Sequence, residues 1–107
     1  MLDLDHPQTP FVFEAAKIQG DLIAVVIKAE QAGRSSLTAE GIEEANHQIE
    51  LLETINFVGF GDDPQIASTL NRVKQLFNSP STSCEQLRQT VLQELIQPNH
   101  NFGTWAI

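Results

Sequence analysis

The chain has 107 residues, of which 41% are hydrophobic, and its 14 Asp and Glu outnumber its 6 Lys and Arg to give a net charge of -8. This length is typical of a single domain with its own core, here residues 1–107. Because an acidic chain is repelled by phosphate backbones and by anionic lipid, direct nucleic-acid binding and membrane-surface binding are disfavoured.

The single cysteine, Cys84, excludes an internal disulfide and is typical of a reducing compartment. The first five residues carry acidic groups where a secretory signal carries positive charge. Lys17, Asp21 and Lys28 interrupt the longest apolar stretch, which is therefore too short to span a membrane. These features predict a cytoplasmic protein.

The first predicted helix, residues 10–32, is apolar over an arc of roughly 200°. Thr9 and Pro10 are typical of a helix start, and Gly33 is typical of the residue that follows a helix end. A surface helix usually carries an apolar stripe of about 100°. We therefore expect this helix to be covered on several sides, either by other helices of the chain or by a partner.

Three further helices are predicted from apolar residues at helical spacing between residues that start and stop helices, with Thr38, Asp63 and Thr82 as N-caps. Their ranges are 38–58, 64–78 and 83–97. The connections are short, as between antiparallel neighbours, and residues 1–8 and 99–107 are interpreted as tails. The sequence thus predicts an all-α fold, a compact antiparallel bundle of four helices.

The apolar residues at helical spacing predict which side chains are buried in these helices. The predicted core residues are Ile42, Ala45, Ile49 and Leu52 in the second helix, Ile66, Leu70, Val73 and Phe77 in the third, and Leu87, Val91, Leu92, Leu95 and Ile96 in the fourth. Phe57 and Phe60 are expected to pack over this core beside a structural turn.

No residue pattern predicts catalysis, a metal site or a cofactor. Glu44 and His47 have the Glu-x-x-His spacing of di-iron bundles, but they point away from the apolar stripe of their helix. Cys84 falls at the start of the fourth helix, where the helix dipole lowers a thiol pKa, yet no histidine spacing suggests a base. We interpret Cys84 as a half-buried structural residue.

Gln19 lies inside the apolar arc of the first helix, where a polar group needs a partner. A structural hydrogen bond or a role in helix register is one interpretation, and a position facing a ligand cavity is the other. Glu30 also falls in the arc but is close enough to the helix end to reach water. Gly20 would permit close approach of another helix.

Leu51, Ile55 and Val58 form a second apolar stripe on the second helix, roughly 120° from the first. This helix is therefore expected to contact something on two sides. The second contact is either the first helix of the same chain or the same helix of another subunit, most simply in a twofold homodimer.

The tail after Pro98 contains Phe102, Trp105 and Ile107. Because disordered segments are poor in aromatic residues, we expect this tail either to fold back over the bundle or to dock onto another chain.

No Lys or Arg occurs between Arg34 and Arg72, a stretch that contains Glu43, Glu44 and Glu50. These carboxylates form either a solvated face or a surface for a basic partner. Together, the patterns favour a non-enzymatic protein that binds another protein, as an adaptor, assembly factor, small chaperone or regulatory subunit. The alternatives are an acidic inhibitor that mimics nucleic acid or masks a basic surface, and a small-ligand-binding bundle or enzyme.

Overall fold

A computed structural model describes residues 9–79 and 81–96, and it is helical throughout these two ranges apart from the connections. The helices are α1 (Thr9–Gln31), α2 (Ala39–Gly59), α3 (Pro64–Phe77) and α4 (Cys84–Val91), and α4 continues into a π-helical turn (Leu92–Ile96). The predicted all-α class with four helices is confirmed. The last predicted helix differs in its final turn, which is π-helical.

The order of the helices around the bundle follows the chain, since α1 contacts both α2 and α4, and α3 contacts the same two helices. Phe11 at the start of α1 packs on Gly59 at the end of α2, where a Cβ would lie 2.7 Å from Cδ2 of Phe11. The Lys74 ammonium in α3 lies 3.6 Å from Glu53 in α2. The contact between Phe11 and Gly59 shows that α1 runs antiparallel to α2. The pairing of Lys74 with Glu53 is the contact expected if α2 and α3 also run antiparallel.

Two of the three N-caps predicted for the second, third and fourth helices are confirmed. The first helix begins at Thr9 itself, the residue predicted as its cap. Thr38 Oγ1 accepts a hydrogen bond from the backbone N–H of Gly41 at 3.1 Å. Asp63 Oδ1 accepts two, from Gln65 at 2.8 Å and Ile66 at 3.1 Å. Such bonds satisfy backbone donors that have no partner inside a helix.

The predicted cap of the fourth helix is wrong by one residue. Ser83 Oγ accepts from the N–H of Gln86 at 3.1 Å, whereas Thr82 is buried. Both Thr82 with Glu85 and Ser83 with Gln86 match the capping-box pattern, so sequence spacing alone does not distinguish them.

The core contains most of the residues predicted for it. The buried members of the predicted set are Ala45, Ile49, Leu52, Ile66, Leu70, Val73, Phe77, Leu87, Val91 and Leu95. Ile42 and Leu92 are half-buried.

The turn between α2 and α3 is held by Asn56, which is 1% exposed. Its amide nitrogen donates to the Asp63 carbonyl, and its amide oxygen accepts from the Asp63 N–H, both at 3.1 Å. Phe60 packs against the core as predicted, but Phe57 is 69% exposed. The prediction for Phe57 is wrong because one residue of helix rotation separates it from Asn56, about 100° away from the buried side.

Within the two described ranges, every helix falls short of the length and apolar character that a membrane span requires.

Candidate interaction surfaces

The inner face of α1 forms one wall of the core. Ala15, Leu22 and Val26 are fully buried there, and Ile18 is 5% exposed. Gln19 is 7% exposed beside them, and its Nε2 has no hydrogen-bond partner among the described residues. The structural hydrogen bond that was one interpretation of Gln19 is therefore not found for this nitrogen in the described part of the chain.

The opposite side of α1, which we call the outer face, consists of Phe13, Ala16, Gly20, Ala24 and Ile27. Phe13 is 52% exposed and Ile27 is 37% exposed. Ala16 and Gly20 are exposed, and a Cβ at Gly20 would meet nothing within 4 Å. The described residues thus cover one side of this helix, whereas the sequence predicted cover on several sides. The close approach of another helix predicted at Gly20 is also not found among the described residues.

A charged edge runs beside the outer face of α1, on the side toward α2. It consists of Glu14, Lys17, Asp21 and Lys28, all exposed, with two charges of each sign. The ion pairs found among the described residues involve other side chains. The edge has no net charge, and none of its four side chains forms an ion pair with another described residue.

The second apolar stripe of α2 divides between the core and the surface. Ile55 is 8% exposed and belongs to the chain's own core, whereas Leu51 is 37% and Val58 63% exposed. Because Phe11 contacts Gly59, the exposed Val58 lies at the same end of the α1–α2 pair as Phe13.

The exposed side of α2 is strongly acidic. Its carboxylates at Glu40, Glu43, Glu44 and Glu50 are exposed, and α2 contains no Lys or Arg. The exposed His47 lies among them, but the described residues contain no cluster of three possible metal ligands. We call these four glutamates the acidic face of α2.

Three basic side chains of the last two helices each pair with a carboxylate. The pairs are Arg72 with Glu94 at 3.2 Å, Lys74 with Glu53 at 3.6 Å, and Arg88 with Glu30 at 2.9 Å. Glu30 is therefore half-buried against Arg88. Since each cation already faces an anion, these residues do not form a free basic patch for phosphate.

An open pocket of about 240 Å³ lies between the end of α1 and the start of α2. Its lining includes Val25, Ala29, Leu37 and Gly41, with Lys28, Arg34, Glu40 and Glu44 around them. Gln19 is not part of this lining. The ligand cavity considered for Gln19 is therefore not this pocket.

Cys84 is 1% exposed, which corrects the half-buried position expected from the sequence. Its backbone N–H donates to the Ser35 carbonyl at 2.8 Å, which fixes the start of α4 against the α1–α2 connection. Burial raises the pKa of the Cys84 thiol, and the negative charge of Glu30 raises it further. Loss of hydration disfavours the charged thiolate, so the lowered pKa considered for a thiol at a helix start is not found for Cys84.

Phe102, Trp105 and Ile107, which the sequence offered as contacts of the tail, lie outside the described residues.

Comparison with known proteins gave no matching family model, no similar curated protein and no similar solved structure.

Proposed function

We propose that this chain is a small helical protein that acts by binding another protein through the outer face of α1, as an adaptor, assembly factor, small chaperone or regulatory subunit. The observation that carries the proposal is the apolar side of α1 that the described residues leave exposed, with Phe13 and Ile27 about four turns apart on it. A reducing compartment such as the cytoplasm suits its lone thiol.

The pattern of α1 supports this proposal because a helix that lies on the surface of a monomer normally has a polar outer side. Here the outer side is apolar from Phe13 to Ile27, a length of about 21 Å. Contiguous exposed apolar surface of this kind marks protein contacts more often than isolated exposed residues do.

The proposal assigns the chain no catalytic activity of its own. Cys84 is the single thiol of the chain, and its burial and raised pKa disfavour the reactive thiolate.

Partner capture with a matched pair of variants tests the proposal. Immobilised wild-type chain, Phe13→Glu and Phe57→Glu would each be exposed to lysate of the source organism, and bound proteins identified by mass spectrometry. Phe57 is the control, since it is 69% exposed against 52% for Phe13 and lies on α2. We expect the partner to be lost with Phe13→Glu and retained with Phe57→Glu.

Equal capture by the two variants would show that the outer face of α1 is not the binding surface. Circular dichroism of both variants must show an unchanged helix content, because an unfolded Phe13→Glu chain would lose partners for a trivial reason.

The acidic face of α2 favours a second candidate, an inhibitor that occupies the basic surface of a nucleic-acid-binding protein. Its exposed carboxylates are not balanced by any cation on the same helix. Binding of this kind weakens steeply as salt rises. The test is a triple replacement by Gln at Glu43, Glu44 and Glu50, with Glu85→Gln on α4 as control. The triple variant should lose a partner that high salt also releases, and persistence of that partner would reject the candidate.

A further inference from the structure

We infer that a second copy of this chain covers the outer face of α1, with the two α1 helices antiparallel and the twofold axis at Gly20. The inference rests on the proposed function and names its partner. It follows from two features of α1, each of which matches the same feature of a second α1 helix that runs in the opposite direction.

The first feature is the order of side chains along the outer face. Counted from Gly20, Phe13 and Ile27 stand seven residues to either side, and Ala16 and Ala24 stand four residues to either side. An antiparallel copy therefore places Phe13 over the partner's Ile27 and each alanine over the other alanine. The small residues stand at the centre, where the two backbones approach most closely, and the large ones stand at the ends.

The second feature is the order of charges along the edge. In an antiparallel pair related by a twofold axis, equivalent edges of the two helices lie side by side. Lys17 then lies about 3 Å along the axis from the partner's Asp21. Glu14 lies about 3 Å along the axis from the partner's Lys28. Each exposed charge of the edge thus has an opposite charge within reach on the second copy.

The two Asp21 carboxylates approach each other at the twofold axis, but the two Lys17 side chains stand beside them. This central group of four has no net charge. The edge that lacks partners within the described fold becomes a set of alternating pairs in the dimer.

A parallel arrangement does not have these properties. It brings the charged edge of one helix against the opposite edge of the other, which carries Val12 and Ile23. It also places Phe13 beside its own copy, and the charged side chain of α1 on that opposite edge, Glu30, is already paired with Arg88. The complementarity therefore specifies the antiparallel direction.

Charge also favours α1 over α2 as the centre of the contact. The α2 helix carries five Glu and no Lys or Arg, so two copies of its outer side repel each other. The exposed Leu51 and Val58 lie on the flank of α2 nearest to α1, where they can extend the apolar contact. Glu40 and Glu44 share this flank near the start of α2, and the antiparallel arrangement places them at opposite ends of the two copies.

The first test is the mass of the purified protein by sedimentation equilibrium over roughly a hundredfold range of concentration. We expect a monomer–dimer equilibrium for the wild-type chain, a monomer for Phe13→Glu, and wild-type behaviour for Phe57→Glu. A wild-type chain that stays monomeric throughout, or a dimer that Phe13→Glu leaves intact, would overturn the inference.

The second test exchanges charges. Lys17→Asp surrounds the axis with four acidic side chains, and we expect it to weaken the dimer by about tenfold or more. Adding Asp21→Lys to the same chain restores alternating charges, and we expect it to recover most of the lost affinity. Failure of the double variant to recover affinity would contradict the proposed pairing.

The third test determines direction. Ala16→Cys and Ala24→Cys should form a mixed disulfide when combined, but neither should cross-link to itself. In the antiparallel pair, position 16 of one copy lies about 12 Å along the axis from position 16 of the other, and the same holds for position 24. That distance is beyond disulfide reach. Cys84 does not interfere, because it is buried and its pKa is raised. Self-cross-linking of each variant alone would indicate a parallel pair and overturn the inference.

These results separate the inference from the proposed function. A monomeric wild-type chain that nevertheless captures a different protein, and loses it on Phe13→Glu, would retain the proposed function and exclude the second copy as the occupant.

Discussion

The outer sides of α1 and α2 lie next to each other on this molecule and differ in the properties that govern association. The outer face of α1 is apolar, with a neutral charged edge beside it. The acidic face of α2 carries exposed glutamates, and the only pairing found for an α2 carboxylate among the described residues is Glu53 with Lys74. Five of the 14 acidic residues of the chain therefore lie on α2, which has no Lys or Arg of its own, whereas the charges along the edge of α1 balance.

This difference suggests two separate modes of association. In the proposals above, a contact through α1 buries apolar surface and is expected to weaken less with salt than its charge pairs alone would. A contact through α2 is expected to depend on attraction to a basic partner and to weaken as salt rises. An acidic face beside an apolar one also limits disordered aggregation, because copies that meet through α2 repel each other.

The largest expected effect is the difference in lost stability between a truncation on the inner face of α1 and one on its outer face. Leu22 is fully buried, so Leu22→Ala should lower the free energy of unfolding by about 2–5 kcal/mol. Ile27 is 37% exposed on the other side, and Ile27→Ala should cost less than about 1 kcal/mol when the protein is dilute. Urea unfolding followed by circular dichroism measures both values. Equal losses would mean that the outer face belongs to the monomer's core.

Gly59→Ala tests the contact that joins α1 to α2. The added Cβ would lie 2.7 Å from Cδ2 and 2.8 Å from Cβ of Phe11. Since the Cβ of Phe11 is fixed by its backbone, the two helices must separate, and we expect a loss of about 1–3 kcal/mol. A neutral result in the same urea experiment would show that this end of the helix pair adjusts freely.

Gly20→Ala is the matched substitution on the outer face, and its effect should have the opposite sign. A Cβ there meets nothing within 4 Å, so the better helix propensity of Ala should stabilise the dilute monomer by about 0.5–1 kcal/mol. Thermal unfolding at low concentration measures the gain. A loss of stability would reveal a contact at Gly20 already present in the single chain.

The smallest expected effect concerns the acidic face of α2. Glu40, Glu43 and Glu44 stand within one helical turn of each other, and such like charges cost a few tenths of a kcal/mol per pair. Raising the ionic strength from about 10 mM to about 500 mM should therefore raise the melting temperature slightly. Replacing Glu43, Glu44 and Glu50 by Gln should remove most of that increase, whereas an unchanged salt response would place the repulsion elsewhere.

The helices and much of the core could be predicted from the sequence because their signals are local. The Thr38 and Asp63 caps use atoms within three residues of each other in the chain. The buried side of α3 follows directly from one clear apolar stripe ending at Phe77. Neither feature requires knowledge of where another helix lies.

The candidate surfaces could be predicted only in part. The acidic face of α2 follows from the spacing of its glutamates, but the pairing of Glu30 with Arg88 joins residues 58 positions apart. The burial of Ile55 and the exposure of Phe57 depend on how α2 is rotated against α1 and α3. Sequence spacing gives the relative angles of these side chains and leaves that rotation open.

The sequence by itself determined that α1 is apolar around more than half of its circumference, which predicts cover on more than one side. Only the tertiary structure decided which part of that arc faces the chain's own core, because side chains at Leu22 and Ile27 carry equal apolar character and differ only in where the other helices pack. Helix periodicity is a property of consecutive residues, whereas the choice between two apolar sides is made by contacts between residues far apart in the chain.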